Sequence, residues 1–304
     1  MTPALAGSSA AILVAAILGL VFGSFANVCI HRLPHRRSVI WPGSSCPSCG
    51  GPIVWHDNIP VVSWLLLAGR CRRCSAAIPA QYPLVEAAAA LLLVALSLQH
   101  GITIRWAALS YLGVSILILV PIDFKHGILP DKITLTGIAV GILVSPFTVE
   151  PGIAGSLLGA AAGALVPYAV RALYIVYAAG RARIVGPPGQ TAPAGRSAGE
   201  TPDVAEEVSG EEVEHADERR EGMGLGDVKM LAMVGAFLGA PQVVLTMLLG
   251  SVIGTMVVVP LVLAGRRGMK TPVAFGPFLG VAAVIVILWG SEILEWYGAL
   301  VPGD

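Results

Sequence analysis

The sequence predicts an all-α fold, a polytopic membrane bundle of about eight transmembrane helices with a small cytoplasmic loop domain. Three observations predict it. The chain of 304 residues is 55% hydrophobic and only 12% charged, with a mean hydropathy of +0.78, against about 25% charged residues in a soluble domain. Apolar runs recur along it at lengths near the roughly 20 residues that cross a hydrocarbon core about 30 Å thick. Lys and Arg crowd into alternate loops between those runs, the pattern of cytoplasmic loops. Lys+Arg and Asp+Glu are both 19, so the net charge is zero and no basic excess points to nucleic acid as a partner.

The first apolar run covers residues 10–30. No Lys or Arg precedes it and no clean small-residue cleavage site follows, so it is expected to be an uncleaved helix rather than a signal peptide. The next runs cover residues 82–98, 105–122, 133–147 and 153–178, and the last three cover 228–240, 243–264 and 277–297. The sixth, 228–240, is short for a span. It is expected to be tilted, partly buried in protein, or a half-helix lining a cavity. Arg32, Arg36, Arg37, Arg70, Arg72 and Arg73 fall in the first loop and Lys125 and Lys132 in the third. Arg181, Arg183, Arg196, Arg219 and Arg220 fall in the fifth, and Arg266, Arg267 and Lys270 in the seventh. The even loops and both termini hold only Arg105. This alternation places both termini outside and the odd loops in the cytoplasm of a multi-pass membrane protein.

The expected organisation is a first helix at 1–30, a cytoplasmic four-cysteine loop domain at 31–81, helices two to five at 82–180, an acidic linker at 181–223, and helices six to eight at 224–304. Residues 186–221 are rich in Pro, Gly, Ala and Ser, then in Glu and Asp. They lack the apolar content to bury a core and read as a solvated, disordered insertion, with a docking tail as the lesser reading.

Four of the five cysteines read Cys46-Pro-Ser-Cys49 and Cys71-Arg-Arg-Cys74, with a spacer of 21 residues. Two such knuckles present four thiolates to one ion, the arrangement of a tetrahedral structural zinc site. The loop is cytoplasmic by its charge, where thiols stay reduced, so zinc is favoured over disulfides. Four thiolates leave no open position for water, so the metal would be structural. Cys29, inside the first run, reads as a packed apolar residue.

Ionisable groups in or beside membrane helices are functional candidates by default. Asp123 ends the third run in Pro121-Ile122-Asp123-Phe124-Lys125, and Asp227 opens the sixth in Gly224-Leu225-Gly226-Asp227-Val228-Lys229. Glu86 stands near the cytoplasmic start of the second. Asp123 and Asp227 fall on the same side of the membrane. The glycines before Asp227 would permit an unwound backbone and a close neighbour. Two adjacent carboxyl groups share a proton, so one activates a water while the other protonates a peptide carbonyl. The structural alternatives are that Asp123 marks a helix end beside Lys125, that Asp227 caps a helix, that Asp131 caps the fourth helix beside Lys132, and that Glu86 satisfies a polar network.

With these residues in view, the chain resembles the prepilin peptidases, or type IV leader peptidases, of the GxGD class of intramembrane aspartyl proteases. The resemblance runs through Gly23-Ser24-Phe25-Ala26-Asn27-Val28, Arg32-Leu33-Pro34, both cysteine pairs, Asp57-Asn58-Ile59-Pro60, Ser63-Trp64 and Tyr82-Pro83-Leu84-Val85-Glu86. It continues through Ile122-Asp123, Leu129-Pro130-Asp131, Gly224 to Lys229 and Phe275-Gly276-Pro277-Phe278. It implies a peptidase that removes the leader of type IV prepilins or type II secretion pseudopilins at the cytoplasmic face, after a glycine, with Asp123 and Asp227 as catalytic residues. Because the matching cysteines Cys46, Cys49, Cys71 and Cys74 are present, it also implies N-methylation of the new terminus from S-adenosylmethionine. No glycine-rich nucleotide loop marks residues that would bind that cofactor. The linker before Gly224 is longer than the family's short connection. A proton- or ion-coupled transporter using Asp123, Asp227 and Glu86 is the alternative, and a zinc-bearing scaffold without catalysis is a third. The transporter reading places acids near the bilayer midplane, whereas these fall at the rim.

Overall fold

The computed structural model describes residues 8–185, 224–264 and 274–300, so the acidic linker lies outside them except for its first residues, 181–185, which continue a helix. The described residues form α-helices and short 3-10 turns, with two isolated β-bridges. All eight apolar runs are helical: α1 (Ser9–Arg32), α3 (Gln81–His100), α4 (Ile104–His126), α5 (Asp131–Val144), α6 (Gly152–Val185), α7 (Leu225–Leu238), α8 (Ala240–Leu263) and α9 (Gly276–Leu300), with the short α2 (Val62–Leu66) in the loop domain. Six of the eight are long and apolar enough to cross a membrane. The exceptions, α5 and α7, have 14 residues each. At about 1.5 Å per residue each reaches roughly 21 Å, short of a 30 Å core.

The six long helices keep apolar residues on the outside, as Leu13 and Ile17 of α1, Leu91 of α3, Leu158 of α6 and Met256 of α8 illustrate. Their outer faces suit hydrocarbon rather than water. The core lies where α3, α4, α7, α8 and α9 meet, around Leu93, Leu112, Ile116, Met230, Met233 and Leu279.

Short α7 is sheathed by its neighbours. Its Met230, Leu231, Met233, Val234 and Ala236 are fully buried. Gly159 and Gly163 of α6 lie against its backbone at Gly235 and Leu231, and Gly141 of α5 lies against Ala236 and Phe237. A side chain at any of these glycines would push the helices apart, and small residues at such crossings are how membrane helices approach closely. Of the three readings for the sixth run, burial in protein is realised over most of its length, and its last residues, Ala236 to Leu238, line a cavity. The same device joins α1 to α3, where Gly19 and Gly23 lie on the backbone of Ala90 and Glu86. Cys29 is buried in the small cluster beside Ile30, Val85 and Ile122, the packed role expected of it.

The loop domain between α1 and α3 is tied to the bundle by polar contacts. Glu86 Oε2 accepts from the Val61 amide at 2.7 Å, Asn27 Nδ2 donates to the Tyr82 carbonyl at 3.0 Å, and Arg32 donates to the carbonyls of Ser38 and Gly43. Arg72 grips Asp57 in a two-pronged pair, with Nε 2.8 Å from Oδ2 and Nη2 2.6 Å from Oδ1. Glu86 thus serves as a tether for the loop domain.

Candidate active site and metal centre

Asp123 sits in the last turn of α4. Pro121 removes one helix hydrogen bond just before it. Gly127, in the left-handed region at φ 65, closes the helix by donating its amide to the Asp123 carbonyl at 2.8 Å. The helix therefore runs past Asp123 to His126 rather than ending on it. Asp227 sits in the first turn of α7. Gly224 is the N-cap in extended conformation, and its backbone amide faces the Asp227 carboxyl three residues on, so Asp227 also closes the start of the helix. Gly226 is already helical, so the backbone before Asp227 is not unwound. Its small size instead lets Leu129, after α4, close over the helix start, since an added Cβ would stand 3.0 Å from Leu129 Cβ.

The two carboxyl groups converge on the first residue of α9. A Cβ built at Gly276 would lie 3.0 Å from Asp123 Cγ and 3.3 Å from Asp227 Oδ1. The Gly276 amide faces the Asp123 carboxyl. Both aspartates are buried, and Asp123 Oδ2 has no hydrogen-bond partner among the described residues. The neighbouring lysines are engaged elsewhere. Lys125 Nζ meets Gln81 Oε1, and Lys229 Nζ pairs with Asp131 Oδ1 at 2.7 Å. Asp131 is the first residue of α5, after the N-cap Pro130, and bridges α5 to α7 rather than pairing with Lys132. Two buried carboxyl groups held at one point, with no cation paired to them among the described residues, can take a proton from water and give one to a carbonyl oxygen.

The four loop cysteines form a second centre. Both knuckles fold alike. Cys46 donates its amide to Gly51 and Cys71 to Ala76, and the Gly50 and Ser75 amides return to Cys46 and Cys71. An isolated β-bridge brackets each turn, Ser45 to Pro52 and Arg70 to Ala77. Gly50 and Ser75 hold the same left-handed position, at φ 67 and 57. The four sulfurs lie within 4.8 Å of one another, and Cys46 Sγ is 3.8 Å from Cys74 Sγ. Thiolates about 2.3 Å from a tetrahedral ion stand about 3.8 Å apart, so the set fits a metal. The Cys49 and Ser48 amides hold the Cys46 thiol down to about 6. The Cys74 and Arg73 amides lower Cys71 in the same way. At Cys74 the Ala76 amide also lowers the value, but desolvation and the three neighbouring cysteines outweigh it and push the thiol up to about 11. That crowding of thiolates is what a bound cation relieves.

The sequence reading named both aspartates and all four cysteines. It passed over Gly276 as a participant, although a Gly-Pro at the start of an apolar helix beside a basic loop marks a helix N-terminus on the aspartates' side.

Residues 17–100, which carry the cysteines, match the family described as Bacterial Peptidase A24 N-terminal domain. Residues 110–259, which carry both aspartates, match the Type IV leader peptidase family. A "Prepilin leader peptidase/N-methyltransferase" of Stutzerimonas stutzeri is 33% identical, across 94% of this chain and 93% of the relative. Proteins of the same description from Aeromonas salmonicida and Pseudomonas aeruginosa are 33% and 32% identical, each across 92% of this chain and 91% of the relative. No solved structure matches the chain. The membrane bundle, the paired aspartates and the four-cysteine loop thus accompany similarity along nearly the whole sequence, and the chain belongs to the Type IV leader peptidase family.

Proposed function

We infer that this protein is a membrane aspartyl endopeptidase that removes the leader of type IV prepilins or type II secretion pseudopilins, and that it then N-methylates the exposed terminus. The observation that carries the peptidase reading is the convergence of Asp123 and Asp227 on Gly276. In the reaction one carboxylate takes a proton from water as the water oxygen bonds to the scissile carbonyl carbon. The other carboxyl gives its proton to the carbonyl oxygen. Collapse of the tetrahedral adduct breaks the C–N bond, and the leaving amine takes up a proton from the dyad. The charge bias of the loops supports a site at the cytoplasmic face, with both termini outside. The purified full chain in detergent, given a prepilin and S-adenosylmethionine, should release the leader and leave a methylated terminus by mass spectrometry. An uncut prepilin under conditions that preserve the fold would refute the reading.

Zinc is the metal we assign to Cys46, Cys49, Cys71 and Cys74, and its role is to hold the two knuckles together. S-adenosylmethionine supplies the methyl group, and no residue set is assigned to it. Purified protein should contain about one zinc per chain. Replacing the four cysteines by serine should abolish that zinc, loosen the loop and lower methylation more than cleavage. Protein isolated under reducing conditions without zinc, or equal loss of both activities, counts against a metal-organised loop separate from the aspartates.

A further inference from the structure

A cavity of about 310 Å³ opens at the end of the bundle remote from the aspartates. Arg105, in the first turn of α4, lines it, and Asp123 stands about 27 Å farther along the same helix at about 1.5 Å per residue. Gln99 and His100 from the end of α3, Glu150 before α6, Gln242 from the start of α8 and Glu292 of α9 complete its polar wall. None of these residues has a part in the proposed cleavage.

Arg105 is under-used. Its Nε is buried with no hydrogen-bond partner among the described residues. Its Nη1 makes one long contact, 3.4 Å to Glu150 Oε2, and the Glu150 side chain is 72% exposed. A guanidinium has five donors in a planar fork that matches the oxygens of a phosphate. The wall also carries two carboxylates against one guanidinium, so an anion with no positive charge of its own would meet unfavourable neighbours.

The second observation lies on the outer face of α9. Ile285, Trp289, Ile293 and Trp296 form an apolar groove that includes Glu292 and so adjoins the polar cavity at that residue. Trp289 and Trp296 are more than half exposed. Tryptophan in such a position marks the boundary between headgroups and acyl chains. A site with a phosphate-binding end, a cation-binding end and an adjoining apolar groove is complementary to one kind of molecule.

We propose that this end of the bundle binds a phospholipid with an amine-bearing headgroup, its phosphate on Arg105, its ammonium between Glu150 and Glu292, and an acyl chain running from Trp289 toward Ile285, back along α9 in the direction of the aspartates. The cavity volume stands at the lower end of the roughly 300–1,000 Å³ of small-molecule sites, the size expected for a headgroup rather than a whole lipid.

The test is native mass spectrometry of the full chain after exchange into equal amounts of phosphatidylethanolamine and phosphatidylglycerol. The wild-type protein should retain phosphatidylethanolamine in excess. Arg105→Gln should lower that retention about tenfold, the scale of one charge-assisted hydrogen bond. Glu292→Gln should erase the preference between the two lipids. Excess inorganic phosphate should not displace the lipid. Prepilin cleavage should stay at the wild-type level in both variants, which reports that they are folded. If Arg105→Gln does not fold, Arg105→Lys and Glu150→Gln take its place, with weakened retention and a reduced preference expected. Equal retention of the two lipids by the wild-type protein, unchanged retention in the arginine variants, or displacement by phosphate alone would each overturn the proposal.

Discussion

Asp123→Asn and Asp227→Asn should each reduce leader cleavage by at least about 10³-fold, at the upper end of what one acid or base contributes, while the protein still inserts and purifies. The amide keeps the size of the carboxyl, so the packing around Ile122 and Val228 is undisturbed. What it removes is the group that accepts or gives the proton. Both aspartates point at one position, beside Gly276, and would act on one water and one carbonyl. Their effects should therefore not add. The double variant should be no slower than the slower single variant, as for residues that work as a unit. Asp→Glu at either position keeps the chemistry but lengthens the arm in a buried site, so partial activity is expected. The measurement is the initial rate of leader release by gel or mass spectrometry. A wild-type rate in either asparagine variant removes that aspartate from the reaction.

The six long helices were legible because a membrane span writes its length directly in apolar residues, and the two short ones were legible as apolar runs. Helices α1, α3, α4 and α9 extend only a few residues beyond the apolar runs that predict them. Less legible was what α7 packs against. Its burial depends on Gly159 and Gly163, far away in sequence, and nothing in the local pattern tells a packing glycine from a spacer. The common depth of Asp123 and Asp227 could be read from the basic loops, but not their convergence on a third element. The pairing of Asp123 with Lys125 failed for a simple reason, since the two are two residues apart on a helix, where side chains diverge. Lys125 turns to Gln81 instead, and Asp131, read as a cap, stands one position inside the helix and reaches Lys229 across the helix interface. The cysteine centre was the most legible part, because a metal knuckle is a local turn. Even there the equivalence of Ser75 with Gly50 emerged only from the backbone.

Gly276→Ala should lower cleavage by about 10²-fold or more with little loss of stability, because a small displacement of a catalytic group is costly in rate. The added methyl would enter the space held by the Asp123 carboxyl and stand 3.3 Å from Asp227 Oδ1. The carboxyl can yield by rotating, so the helix need not move and the fold should survive. Rotation, however, turns it away from its partner. It also separates Asp123 from the Gly276 amide at the start of α9, where the helix N-terminus favours negative charge. Pro277 has no N–H, and the Phe278 and Leu279 amides already donate to Phe275. The Gly276 amide is therefore the donor of the α9 end left to meet Asp123, as the Gly224 amide meets Asp227. The fall should appear in kcat with KM nearly unchanged, and Gly276→Val should be worse than alanine. Gly254→Ala is the control, since its nearest neighbour, Phe278 Cδ2, is at an ordinary 3.4 Å. It should cleave at the wild-type rate. If Gly276→Ala cleaves as well as Gly254→Ala, the position next to both aspartates has no part in setting their geometry. If it instead lowers the melting temperature as much as the activity, the glycine serves packing alone.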